Sequence, residues 1–205
     1  MNLNLTLDTS QLDKLARFTN PKLFDRAIKA GIRQASSTAK TQAAKGIGSR
    51  YSLTAGRIKK DITVSIPPGG EFALLRFSRR PPSLAQFNAK PGTRGTGQQG
   101  RGRGKGWTKP AKPGKPMSAA VFRGQRKPLP GAFMARGLNG NDLVFRRDRA
   151  GKLHAQYGPS VGSAFLGQGR FAQELRGDVS TAIGQAFAKG YQKTLDAAAR
   201  GFGGK

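Results

Sequence analysis

The chain has 205 residues, enough to bury one core or at most two small ones, and carries 37 Lys and Arg against 10 Asp and Glu, a formal net charge of +27. That excess goes far beyond what solubility requires and points to a polyanionic partner, nucleic acid first. Cysteine is absent, which excludes a disulfide framework and a thiolate metal site. No run of 18 apolar residues is present, and the opening "MNLNLTLDTSQLDK" lacks the basic start and apolar run of a signal peptide, so the expectation is synthesis in the cytoplasm with no membrane insertion.

The charge is uneven. Residues 1–71 hold 12 basic and 5 acidic residues (+7), residues 72–141 hold 15 and none (+15), and residues 142–205 hold 10 and 5 (+5). A polyanion contact is therefore expected mainly in the middle of the chain.

In chain order, Leu3, Leu5 and Leu7 alternate with polar residues, the period of a short half-buried strand. Asp8 or Thr9 is placed to cap a helical turn or two through "QLDKLARF". Asn20 as N-cap and Pro21 at the first helical position open a long helix with Phe24, Ile28, Ile32, Ala35, Ala39 and Ala43 on its apolar face, ending near Gly46 or Gly48. Its Ala-rich second half is expected to let another backbone come close.

A helical turn from Thr54 precedes a hairpin, strand Ile62–Ile66 and strand Phe72–Phe77 around Pro-Pro-Gly-Gly. "SLAQFNAK" reads as a further short strand. "MSAAVFRG" and "KPLPGAFMARG" read as two extended segments around a turn, and "DLVFRRDRAGKLHAQYG" as a hairpin turning at Asp148–Gly151. From Gly169 onward the pattern is helical, with Phe171, Leu175, Val179, Ile183, Phe187, Tyr191 and Leu195 at four-residue spacing. Because 3.6 residues make a turn, that stripe winds by roughly 240° over its length. Either Gly190 breaks the helix or its two ends bury against different neighbours. The expected fold class is α+β: a small antiparallel sheet or partial barrel flanked by a long N-terminal and a C-terminal helix, in a single domain over residues 1–205.

Catalytic parts are scarce. His154 is the only histidine and is expected to be structural or at the surface. The ten acids are scattered near helix starts and turns; Asp142 and Asp148 flank a basic strand, but further carboxylates for a Mg²⁺ nuclease site are not apparent. "GRGRGKGWTK" lacks the spacing and flanking elements of a phosphate-binding loop. No enzyme, cofactor or metal is expected.

The stretch "GTRGTGQQGRGRGKGWTKPAKPGKP", Gly92–Pro116, reads as an inserted flexible basic arm. Arg94, Arg101, Arg103, Lys105, Lys109, Lys112 and Lys115 are placed to follow phosphates, and Trp107 to stack on a base. The bland alternative is a solvated loop whose charges keep it extended. In "KPLPGAF", Pro128 and Pro130 hold the chain extended, Gly131 permits a bend, and Phe133 is expected to anchor the bend in a core. In "YGPS", Tyr157, Gly158 and Pro159 form a corner with Tyr157 buried on one side, and Ser160 can cap the following helix.

Five segments in order, "SRYSLTAGRIKKDITV" (49–64), "LAQFNAKP" (84–91), "RKPLPGAFMA" (126–135), "LVFRRDRAGK" (143–152) and "YGPSVG" (157–162), lie between the two long helices. Together they resemble the bacteriophage minor tail protein Z family, the tail-completion proteins of long-tailed phages. The resemblance implies a structural, non-enzymatic virion protein at the head-proximal end of the tail, helping to place the DNA end in the tail channel. Its implied partners are copies of itself in a ring, six by the usual symmetry of phage tails, the tail terminator or tail tube, head-completion or connector proteins, and the phage DNA end. The basic arm departs from the family pattern, where the connection is shorter. A free, non-sequence-specific nucleic-acid-binding protein is the alternative expectation from charge alone.

Overall fold

Residues 2–5, 21–92, 115–137 and 139–202 are described in the computed structural model, and they fall into two compact units. The first comprises Met1–Ser49, Thr54–Arg80 and Ser160–Lys205; the second comprises Arg50–Leu53 and Pro81–Pro159. The architecture is α+β, with long helices near each end of the chain and small antiparallel sheets.

In the first unit, helix α1 (Pro21–Arg50) starts at the expected proline, whose missing N–H has no intrahelical partner to lose. It runs through Gly46 and Gly48, past the expected end. Its buried side carries Phe24, Ile32, Ala35, Ala39 and Ala43 as expected, but Ala27 and Gly31 take the place assigned to Ile28, which is only half-buried. Helix α2 (Ala55–Lys60) is capped by the Thr54 hydroxyl, which accepts the Arg57 N–H. Strands β1 (Asn2–Leu5), β2 (Ile62–Ser65) and β3 (Ala73–Phe77) form an antiparallel sheet in the order β1-β3-β2. Along β3, Ala73, Leu75 and Phe77 are buried while Arg76 is exposed, the period of a one-sided strand. The β2–β3 connection turns at Gly70, with φ at 72°. The expected helical turn over residues 11–18 lies outside the described residues.

Helix α3 (Val161–Leu166) and helix α4 (Arg170–Phe202) complete this unit. Ser160 caps α3, its hydroxyl accepting the Ser163 N–H at 3.0 Å. Fully buried Phe165 stacks on Phe77 with ring centroids 4.2 Å apart. Arg176 reaches back from α4 to donate to the carbonyls of Phe165 at 2.8 Å and Gly167 at 3.0 Å, satisfying groups that the end of α3 leaves open.

Gly190 does not break α4. A methyl group there would lie 2.9 Å from Gln34 Cβ and 3.1 Å from both Ala30 O and Gly31 Cα, so its missing side chain lets the α4 backbone approach α1. Gly31 is in turn covered by the Phe187 ring, and Gly46 by Leu175. The close backbone approach thus falls at Ala30–Gln34, in the first half of α1, and not in the Ala-rich second half where it was expected. Leu175, Val179 and Ile183 are buried, whereas Phe171, Phe187, Tyr191 and Leu195 are half-buried, as the drift of a four-residue stripe requires. The Tyr191 ring meets Phe24 and Phe187, each at 6.0 Å, and burial pushes its phenol pKa up.

The second unit holds strands β4 (Met117–Phe122) and β5 (Gln125–Leu129), an antiparallel pair, and strands β6 (Ala132–Arg136), β7 (Asp142–Arg147) and β8 (Leu153–Gln156), an antiparallel sheet in the order β6-β7-β8. The β7–β8 turn falls at Asp148–Gly151 as expected, with Gly151 at φ 82° and its N–H donating to Asp148 O. The core centres on Phe87, Met117 and Val144, all fully buried.

Two expectations are corrected here. "SLAQFNAK" is not a strand: Leu84–Gln86 form a 3₁₀ turn capped by Ser83, and Asn88 takes a positive φ of 50°, a conformation asparagine tolerates but a strand does not. "KPLPGAFMARG" is not one extended segment: Pro128 sits in β5 opposite Ser118, the chain turns at Pro130 and Gly131 (φ 73°), and β6 joins a different sheet.

Candidate nucleic-acid interface

Of the expected phosphate-following residues, Arg94, Arg101, Arg103, Lys105, Lys109 and Lys112, with Trp107, lie outside the described residues. Lys115 is described and exposed. The two ends of the segment meet. Lys90 and Ser118 form an antiparallel bridge, each N–H donating to the other's carbonyl at 2.8 and 3.1 Å. A methyl group on Gly92 would lie 2.7 Å from Lys115 O, so the glycine permits backbone against backbone at the neck. Residues 92 and 115, which flank segment 93–114, are thus held together next to that bridge.

The expected corners are built differently from their sequence reading. Phe133 does not anchor a core. It is 37 % exposed on β6, 6.1 Å from the Phe145 ring and 5.9 Å from the Arg147 guanidinium. Tyr157 is 54 % exposed, not buried. The buried contact of "YGPS" belongs to Gly158: a side chain there would run into the Phe87 ring, and the Gly158 N–H donates to Pro82 O at 2.9 Å. Pro159 then leads into the Ser160 cap. The bend is thus held by a missing side chain, which a sequence cannot display as an apolar residue.

These corners share partners. Arg126 donates to Asn88 O at 2.9 Å and to Ser118 Oγ at 3.2 Å, holding the left-handed Asn88 against β4. Ser83 pairs with Tyr157, β6 pairs with β7, and Phe87 packs on Gly158. Segments 84–91, 126–135 and 143–152 and residues 157–159 therefore form one framework within the second unit.

The β6–β8 sheet has two unlike faces. Directly paired residues share a face, so Met134, Val144 and Gln156 lie on the side where Val144 is fully buried. The opposite side carries Phe133, Phe145 and Ala155, then Ala135 with Leu143, then Arg147 with Leu153. Leu153 is 46 % exposed, and Phe145, Leu143 and Ala155 are partly exposed. Sequence reasoning missed this face, although the alternation in "GAFMAR" and "DLVFRR" carried the signal.

At one end of that face the β7–β8 hairpin bears Arg147, Arg149 and Lys152, all exposed, while Arg146, paired with Ala132 and His154, lies on the Val144 side. Arg147 donates to Gly151 O at 3.1 Å. Asp148 is engaged within the turn: its carboxylate accepts His154 Nε2–H at 2.9 Å and the Lys152 N–H at 2.9 Å, and these bonds hold its pKa below the ordinary aspartate value. His154 is thus a surface partner of Asp148, half exposed. Asp142 opens six-residue β7 and Asp148 follows its last residue, so the two stand roughly 20 Å apart at about 3.3 Å per residue, too far to share a cation. Among the described residues no group of three His, Cys, Asp or Glu could hold a metal ion, and no helix is long and apolar enough to cross a membrane.

Compared with family models, curated proteins and solved structures, the chain gives no significant match.

Proposed function

We propose that the protein is a structural component of a long-tailed bacteriophage, acting at the head-proximal end of the tail in tail completion and head–tail joining. In this reading copies of the chain close into a ring, six by the usual symmetry of phage tails, between the tail terminator or tube and the head-completion or connector proteins. The ring positions the DNA end in the channel. The observation that carries the reading is the ordered set of five segments resembling the minor tail protein Z family, four of which meet in a single framework around Phe87, Asn88 and Gly158. The net charge of +27 supports it, because a ring multiplies the subunit charge around its lumen or rim. Cryo-electron microscopy or immunogold labelling of the virion tests it: density or label at the neck is the expected result. Label at the distal tip, or none in the particle, overturns it.

A further inference from the structure

We infer that the outward face of the β6–β8 sheet is a binding platform for single-stranded nucleic acid, with bases stacked on Phe133, Phe145 and Tyr157 and phosphates held by the β7–β8 hairpin cations.

Cross-strand pairing places Phe133 and Phe145 side by side on the exposed face, and Tyr157, 54 % exposed, comes two residues after Ala155, just past the end of β8. The Arg147 guanidinium lies over the Phe133 ring while bonded to the hairpin turn, so a cation is fixed beside the stacking surface. Arg149 and Lys152 in the turn extend that cationic edge, and the one acid in the turn, Asp148, is already engaged by His154 and Lys152.

Charge complementarity selects the occupant. A second copy of this face would set cations against cations, as would segment 93–114, whose charged residues are all Lys or Arg. A purely apolar partner would leave the hairpin cations unmatched. A polymer that alternates flat apolar rings with anions satisfies both features, and only a single strand offers its base faces, for about two or three bases on a sheet of this kind. The inference stands apart from the tail assignment: failure to bind an oligonucleotide leaves the position in the virion untouched, and the reverse also holds.

The test is fluorescence anisotropy of a labelled oligothymidylate with the full chain, against the same strand annealed to oligoadenylate. Phe133→Leu keeps an apolar contact with Phe145 but removes the ring. Tyr157→Leu does the same at a position more than half exposed, and it decides alone should Phe133→Leu misfold by circular dichroism. Each weakens single-strand binding about tenfold with an unchanged salt slope and leaves the duplex unaffected. Arg147→Gln lowers the log–log salt slope by about one. Deleting residues 93–114 lowers the slope by several units, yet the dependence on the two rings persists. Equal single-strand affinity for wild type and both Leu variants, with residues 93–114 present or deleted, overturns the inference and turns the face over to an acidic protein.

Discussion

The two units use the same amino acids to opposite ends. In the first, aromatic rings such as Phe24, Phe77 and Phe165 are buried, and acids sit beside bases, as in Asp25 with Lys29 at 2.6 Å, Asp61 with Arg57 at 3.2 Å and Glu174 with Arg170 at 2.7 Å. Phe72 is its one large exposed ring among the described residues. In the second, Phe122, Phe133 and Tyr157 face solvent, and only Asp142 and Asp148 oppose 17 Lys and Arg. A surface that keeps both rings and unbalanced cations in water gains no folding stability from either; it is a surface suited to binding. The contrast is between a unit that buries its rings and pairs its acids and one that leaves rings and cations exposed around its core.

The largest effects come from removing the ring at each centre. Phe165→Ala and Phe87→Ala each delete a fully buried phenyl group, at a cost of about 3–5 kcal/mol. Hydrogen exchange on both variants sharpens the comparison. Loss of protection is expected throughout α3, β3 and α4 for Phe165→Ala, and in β4 and β7 for Phe87→Ala. Protection lost equally everywhere by both variants would mean that the two units unfold as one and that the contrast has no energetic counterpart.

A smaller effect tests how the first unit packs. Gly190→Val drives a branched side chain into the α1 backbone at Ala30 and Gly31, costing about 1–3 kcal/mol or more after the gain in helix propensity. Gly184→Ala lies on the same helix with nothing within 4 Å, so it keeps only the propensity gain and stabilises by up to about 1 kcal/mol. Urea unfolding of the pair should therefore show shifts of opposite sign. Two shifts of the same sign would remove the close helix approach from the account.

Much of this architecture was legible in the sequence. Pro21, Thr54 and Ser160 marked helix starts because capping is local chemistry, and Asp148–Gly151 marked a hairpin because a positive φ there calls for glycine. Apart from the local Ser83 cap and Asn88 turn in "SLAQFNAK", the failures share a cause, which is contact between distant residues. Gly190 leaves a break in the helix as one of two readings until α1 is beside it, and Phe133 and Tyr157 read as anchors because a large ring is usually buried. Which of two alternating faces meets the core is decided by Phe87 and its neighbours, more than 40 positions away from Phe133 in the chain. The aromatic face was therefore present as a pattern but without a direction.

The smallest effect concerns the Asp148 turn at the edge of that face. The His154 hydrogen bond, the Lys152 N–H and the attraction of the His154 charge lower the Asp148 pKa from 3.8. A carboxyl whose pKa is depressed on folding adds stability above its unfolded value, and that contribution is lost as pH falls through the folded value. The turn should thus hold its structure at neutral pH and loosen only below about pH 4. NMR titration of the Asp148 carboxyl is expected to give a midpoint below 3.8 that rises toward the ordinary value in His154→Ala, with the Lys152 bond keeping part of the shift. An unchanged midpoint in that variant would assign the shift to the backbone alone. It would also free His154 from the hairpin, leaving Asp148 able to offset the cations that set the second unit apart from the first.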